Sequence, residues 1–307
     1  MNDSIILHHY ENSPYAEKIR LMFGFTNTRW HSLLSPVYPP RPNVDPLTGG
    51  YRRIPVAQIG ADIFCDTALI AQEVAALTGC SALDPASAEG DALALMKQAE
   101  EKAFFAAVGA VPPLRLLGTM LRSFGPIGTY RFAKDRSSLL RGGTSRPPAA
   151  AKAAGVLQSF LDALELRLAK YQWVGGDAPS VADFACFHPL WLHVSCNRKP
   201  LAAGANVQRW YKAVEEFGHG QRKEITQAEA FEVARVSEPR ALPASTEHGL
   251  LQIGQVVQVA PLDYGVVPVS GTLAAVTENR IIVARQSSAF GTLHVHFPRA
   301  GYSLAAG

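Results

Sequence analysis

Three short stretches hold the residues best suited to chemistry. His9-Tyr10-Glu11-Asn12-Ser13-Pro14-Tyr15-Ala16-Glu17-Lys18-Ile19-Arg20 puts a hydroxyl at a helix start, Arg52-Arg53-Ile54-Pro55-Val56 puts a proline at a strand start, and Cys65-Asp66-Thr67 puts an acid at a second helix start. A helix start exposes unpaired N–H groups and the positive end of the helix dipole, so it favours a nearby anion. A hydroxyl there can also donate a hydrogen bond to one. The three stretches could thus stabilise an anion and hold a small charged ligand, provided the fold brings them together.

The elements that must position them follow from the flanking pattern. Ser4 to His9 is a short β run rich in Ile and Leu. Ser13 then precedes a helical pattern with Tyr15, Ile19, Met22 and Phe25 on one face, and Pro14 occupies the first helical position, where its missing N–H costs nothing. Glu17 and Arg20 fall on the opposite side, expected to be wet. Val56 to Ile59 and Ile63 to Cys65 are expected strands joined by the Gly60-Ala61-Asp62 turn. A second helix follows, with Ile70, Val74 and Leu77 on one face and Gly79 just past its end.

Each signal also has a plain structural explanation. Ser13 before Pro14 is a routine N-cap, and Asp66 is equally a cap or a favourable charge at a helix N-terminus. Pro55 alone would be an ordinary trans proline. Arg53 alone would be a solvated surface charge.

Taken together, the segments resemble the N-terminal, thioredoxin-like domain of glutathione transferases. Ser13-Pro14-Tyr15-Ala16-Glu17-Lys18-Ile19-Arg20-Leu21 is similar to the active-site segment of the tau and omega classes, where Ser or Cys precedes Pro and an aromatic. Arg53-Ile54-Pro55-Val56 resembles the segment in which a basic and an aliphatic residue precede a cis-proline. Asp66-Thr67 matches the Glu-Ser pair that holds the γ-glutamyl end, with a shorter acid and a threonine in place of the family's residues. The resemblance spans about 4–235 and is most specific in the first 80 residues.

It implies Ser13 as the catalytic residue and Tyr15, Arg53, Ile54, Pro55, Asp66 and Thr67 as glutathione-binding residues. Glutathione is expected as a substrate, with no metal cofactor. The backbone of Ile54 would pair with the cysteinyl backbone, and Pro55 would hold it. Asp66 and Thr67 would take the γ-glutamyl ammonium and carboxylate, and Arg53 a carboxylate. Only the thiolate attacks well, and lowering a thiol pKa from about 8.5 by about two units needs roughly 2.7 kcal/mol. A hydroxyl donating to the sulfur supplies roughly 1.5–3 kcal/mol and a helix N-terminus about 0.3–1 kcal/mol. Ser13 could therefore activate the thiol without a general base.

Serine, unlike cysteine, cannot form a mixed disulfide. Cys65, Cys80, Cys186 and Cys196 contain no C-x-x-C pair and suit reduced core residues. Conjugation to a small electrophile is thus expected, with a non-catalytic glutathione-binding or interaction protein and a glutathione-dependent isomerase or dehalogenase as alternatives. The resemblance also implies a homodimer with a role in detoxification. The chain has 307 residues and a formal charge of +3, enough for two or three domains and with no call for a polyanion partner such as nucleic acid. Met1-Asn2-Asp3-Ser4 lacks the features of a secretory signal, and no apolar run suits a membrane span, so a cytoplasmic protein without membrane insertion is expected.

Helices are expected over about 91–108 and 149–170, the latter with a core stripe of Leu157, Leu161, Leu164 and Leu168. Ser180 and Asp183 have capping-box spacing before another helix. Between the first two helices, Pro112 to Pro148 carries Arg115, Arg122, Arg131, Lys134, Arg136, Arg141 and Arg146 against the single acid Asp135. This segment is open to three readings: a solvated loop or broken helix, a basic lid over a second-substrate pocket, or a membrane-surface contact.

The last sixty residues differ in kind. After a linker, Ser237 to His248, strands are expected over Gln255–Val259, Val266–Leu273, Arg280–Arg285 and Leu293–Phe297. Leu293, Val295 and Phe297 share one face, while His294 and His296 take the other, expected to be solvated rather than to hold a metal. His188, His193 and Cys196 form an equally weak site. The expected architecture is multidomain: a thioredoxin-like α/β domain (1–82), an all-helical domain (88–236) and a small β-barrel or sandwich (246–307) docked on the helical domain or on a partner subunit.

Overall fold

The computed structural model describes residues 4–245 and 251–307. The first three residues of the chain, the end of the expected linker at His248 and the start of the expected third domain at 246 lie outside the described residues.

The N-terminal unit alternates strands and helices. β1 (Ile6–His9) leads to α1 (Pro14–Phe25), β2 (Arg29–Leu34), the short α2 (Asp45–Thr48), β3 (Val56–Ile59), β4 (Asp62–Cys65) and α3 (Thr67–Thr78). Helices then dominate: α4 (Gly90–Gln98) runs through a π turn (Ala99–Ala103) into α5 (Phe104–Gly109), followed by α6 (Pro113–Leu139), α7 (Ala150–Leu168), α8 (Val181–Asn197) and α9 (Ala205–Glu215). β5 (Gln221–Glu224) and α10 (Gln227–Arg235) return to the first unit. Five strands close the chain: β6 (Val256–Pro261), β7 (Val269–Val276), β8 (Arg280–Ser287), β9 (Gly291–Pro298) and β10 (Tyr302–Ala306).

The appended strands are present, and they join the N-terminal sheet rather than docking on the helical unit. The ten strands among the described residues make one sheet in the order β10-β6-β7-β8-β9-β4-β3-β1-β2-β5. The junction is a parallel ladder of β9 on β4, pairing Asp62 with His294, Ile63 with Val295 and Phe64 with His296. Strand alternation sorts the two cores. Leu7, Ala57, Ile59 and Phe64 pack with α1, α3 and the helical unit. Val56, Ile63 and Cys65 face the other way, into a core shared with Val44, Leu47 and Tyr51 and with Val283, Leu293, Val295 and Phe297 of the appended strands.

Several expectations change. The sequence pattern assigns no residues to β2, β5 or β10, and β7 lies later than expected. Leu77 is exposed rather than on the buried face of α3. Glu17 and Arg20 are buried, not wet. Arg20 Nη2 donates to Glu17 Oε2 (2.5 Å) and to the Glu11 carbonyl (2.8 Å), and Nη1 donates to His9 Nδ1 (3.0 Å). The side of α1 away from the core is thus covered, with His219 closing on Glu17 (3.1 Å). The basic segment is a broken helix: α6 bends at Gly125 (φ 65°, ψ 177°), next to Pro126. Asp183 and Ser180 form the anticipated capping box of α8.

His294 and His296 also depart from expectation. Both are buried, because β4 puts Asp62 beside them: His296 Nε2 donates to Asp62 Oδ1 at 2.7 Å, while His294 Nδ1 stands 3.9 Å from the same oxygen.

Two predictions follow from this arrangement. Truncation before residue 246 removes the cover from Val56, Ile63 and Cys65 and opens the β4 edge, so the shortened chain should be insoluble or melt far below the full-length protein. A truncated chain with the full-length melting temperature would contradict the shared core.

The second concerns acid. Burial, opposed by the Gln58 hydrogen bond, lowers the pKa of His8 to about 4; burial, then the charge of Arg20, lowers that of His9 to about 3. Arg20 donates to His9 Nδ1, which leaves the ring proton on Nε2 for Ser32 Oγ at 3.0 Å. An unfolded histidine titrates near 6.5, so from there down to about pH 4 the unfolded chain binds protons that the native state refuses. The stabilisation is complete above pH 6.5 and is lost as pH falls, at about 1.4 kcal/mol per pH unit for each histidine. Urea midpoints at pH 7 and pH 5 should therefore differ sharply; equal midpoints would remove the argument.

Candidate functional site

Strand register brings the three singled-out stretches to one end of the sheet. Val56 lies opposite His8 of β1 and opposite Cys65 of β4. Pro55, the turn from His9 to Ser13, and Asp66 therefore leave their strands on the same side. The Ile54–Pro55 bond is cis.

Ser13 caps α1. Its backbone is extended (φ −84°, ψ 116°), and Oγ accepts from the Ala16 N–H at 3.2 Å. This bond uses a lone pair of Oγ and leaves the hydroxyl proton free to donate elsewhere. The residue is only 1% exposed.

Asp66 caps α3 from a conformation that few side-chain-bearing residues adopt (φ 81°, ψ 141°). One oxygen accepts from the Ala68 N–H (3.0 Å); the other accepts from Arg53 Nη1 (3.4 Å) and the Tyr302 hydroxyl (3.1 Å). Thr67 is buried, and its Oγ1 accepts from Lys18 Nζ (3.5 Å), which is paired with Glu100 at 2.5 Å. Tyr15 packs on Phe104 and His188, with ring centroids 4.7 and 4.8 Å away. Burial first, then the neighbouring Tyr264 phenol, pushes the Tyr15 pKa well up, so Tyr15 is a neutral phenol at physiological pH.

Arg53 and Asp66 are thus in contact, but Arg53 is not a solvated charge. Its Nε and Nη2 donate to the Tyr264 carbonyl (3.1 and 2.7 Å), Nη2 is paired with the Asp263 carboxylate, and the guanidinium lies 4.0 Å from the Tyr264 ring centroid. Asp263, Tyr264 and Tyr302 belong to the appended strands and their connections, so a part of the chain some 200 residues away contributes to this corner. Sequence reading missed all three, since nothing local marks them. Lys18, whose Nζ reaches Thr67, carries no local signal either.

α6 borders the same region. Arg52 pairs with Asp135 (2.5 Å), and Arg136 Nη2 donates to the Tyr10 hydroxyl (3.3 Å). The basic segment therefore leans on the site, while Arg115, Arg122 and Arg131 stay exposed.

A second polar cluster sits on the β4–β9 seam, in a cleft of about 320 Å³ lined by Asp62, Arg240, Arg280, His294 and His296 among others. Its charges are met within the chain: Glu73 pairs with both Arg240 and Arg280 at 2.9 Å, and Asp62 accepts from His296 and from the Arg240 N–H. The cluster ties the linker and β8 to α3 and β4.

Known proteins resemble this chain along most of its length. Residues 7–81 match the family model "Glutathione S-transferase, N-terminal domain" and residues 126–216 match "Glutathione S-transferase, C-terminal domain". No curated protein matches the chain. A GST-like protein from Pseudomonas syringae, of known crystal structure, is 31% identical over 99% of both chains, with a TM-score of 0.74. A glutathione S-transferase from Methylobacillus flagellatus with GSH bound is 17% identical, covering 70% of this chain and 99% of its own, at a TM-score of 0.47.

Proposed function

The chain belongs to the glutathione S-transferase family, and on that premise we propose that it binds glutathione at the shared end of β1, β3 and β4 and transfers its thiolate to a small electrophile. The observation that carries this reading is the Ser13 hydroxyl, which caps α1 as an acceptor and keeps its proton for the sulfur. The thiol proton passes to solvent, the Ser13 O–H donates to the thiolate, and the sulfur lone pair forms the new S–C bond as a leaving group departs or a double bond accepts the electrons. The hydroxyl contributes roughly 1.5–3 kcal/mol to holding the anion and the end of α1 about 0.3–1 kcal/mol.

The other roles follow from position. Ile54 offers backbone groups beside Pro55 for the cysteinyl unit. Asp66 and Thr67 stand at the start of α3 for the γ-glutamyl end, Arg53 is the nearby cation for a carboxylate, and Tyr15 forms part of the wall. A glutathione-dependent isomerase or dehalogenase would use the same thiolate. A binding protein without turnover is the second reading, favoured by the depth at which Ser13 lies. A dimer, part of the same proposal, has a candidate face on α6, where Leu114, Ile127 and Tyr130 are exposed.

Calorimetric titration of glutathione at pH 7 in two buffers of different ionisation enthalpy counts the protons released. Binding with release is expected; binding without release would reduce Ser13 to a cap, and no binding would end the glutathione reading. Ser13→Ala should raise the bound thiol's pKa by about one to two units, read by thiolate absorbance, with affinity largely kept. An unchanged thiol pKa would remove the serine from the mechanism.

A further inference from the structure

We propose that the turn carrying Asp263 and Tyr264 is a displaceable cover over the glutathione site, and that the described structure is its closed state. This rests on the glutathione reading above.

The side chains assigned to the charged ends of the ligand, Arg53, Asp66 and Thr67, already have internal partners. Arg53 spends Nε and Nη2 on the Tyr264 carbonyl and the Asp263 carboxylate, and Nη1 on Asp66. Asp66 has both oxygens engaged, one by the backbone of its own helix and one by Arg53 and Tyr302. Thr67 accepts from Lys18. A ligand carboxylate and the Asp263 carboxylate are the same chemical group asking for the same guanidinium, so the two compete.

The turn is built to be held and to be released. It lies between the end of β6 at Pro261 and the start of β7 at Val269, outside the β6–β7 ladder, so it can swing while that ladder stays paired. Four features seat it. The Gly265 N–H donates to the Leu139 carbonyl at the end of α6 (2.6 Å), and the Thr144 and Ser145 N–H groups donate to the Leu262 and Asp263 carbonyls (both 2.9 Å). Gly143 lets that backbone approach, since a Cβ there would lie 1.9 Å from the Asp263 carbonyl oxygen. The Asp263 side chain itself is 44% exposed, so its pairing with Arg53 is within reach of water and solutes. Opening breaks those three backbone hydrogen bonds and the two from Arg53 to the Tyr264 carbonyl, and moves the half-exposed Asp263 carboxylate and the Tyr264 ring, neither of which belongs to the shared core.

When the competent state is a minority, apparent affinity falls by its population. Asp263→Ala removes the competing carboxylate, and Asp263→Asn removes only its charge, guarding against a folding defect. Both should bind glutathione about tenfold more tightly than the unmodified chain, the open fraction rising by that factor. Stopped-flow mixing gives a second readout. The observed rate for the unmodified chain should level off as glutathione increases, at the opening rate, and should keep rising linearly in the Asp263 variants. Unchanged or weaker binding in both variants, beside clear binding by the unmodified chain, would overturn the proposal and make Asp263 a wall of the site. Failure of all three proteins to bind would instead remove the glutathione reading, and this proposal with it.

Discussion

The pairing of β9 along β4 is the interaction on which the remaining structure depends. β4 would otherwise be the edge of a five-stranded sheet, β4-β3-β1-β2-β5, with unpaired backbone groups on one side. Here the edge is closed by a parallel ladder, and the face that carries Val56, Ile63 and Cys65 gains a second hydrophobic core at the same stroke. The buried Asp62–His296 contact crosses that ladder side chain to side chain. Once β9 is in place, β8, β7, β6 and β10 follow in sheet order, and the connection between β6 and β7 arrives beside Arg53.

The candidate site inherits its character from that arrival. In this chain a third part of the sequence contributes a carboxylate, two phenols and a carbonyl to the corner. The result is a densely satisfied polar cluster in which the helix-start positions of Ser13 and Asp66 are kept, but the cation between the strands already has partners. The Arg53 guanidinium ties β3 to the appended sheet as well as standing near α3.

What could be seen in the sequence was local. Ser13 before Pro14, Asp66 before Thr67 and the Ser180–Asp183 box are signals spanning three or four residues, and each caps the helix it precedes. The alternation of Leu293, Val295 and Phe297 against His294 and His296 identified a strand, yet could not say that Asp62, more than 230 residues earlier, would bury the histidine face. Glu17 and Arg20 look solvated on a helical wheel, because a wheel has no knowledge of His9, Glu11 and His219 closing around them. Arg29–Leu34 and Gln221–Glu224 lack apolar alternation and became strands through their neighbours. The helix-start geometry of the site was therefore legible, its meaning came from resemblance, and Asp263, Tyr264 and Tyr302 were invisible because only the tertiary fold brings them near.

The order of the strands also sets a timetable for synthesis. Both flanks of the early sheet are completed by late segments: β5 seals β2, and β9 seals β4. On a ribosome adding about 5–20 residues per second, the β4 flank waits on the order of 10–50 s for its partner. During that interval the nascent chain displays an open hydrogen-bonding edge beside an uncovered apolar face, the combination that invites misassembly with neighbouring chains. The early sheet is therefore completed only when its late strands emerge, and the position of β9 in the chain sets how long the β4 flank stays open.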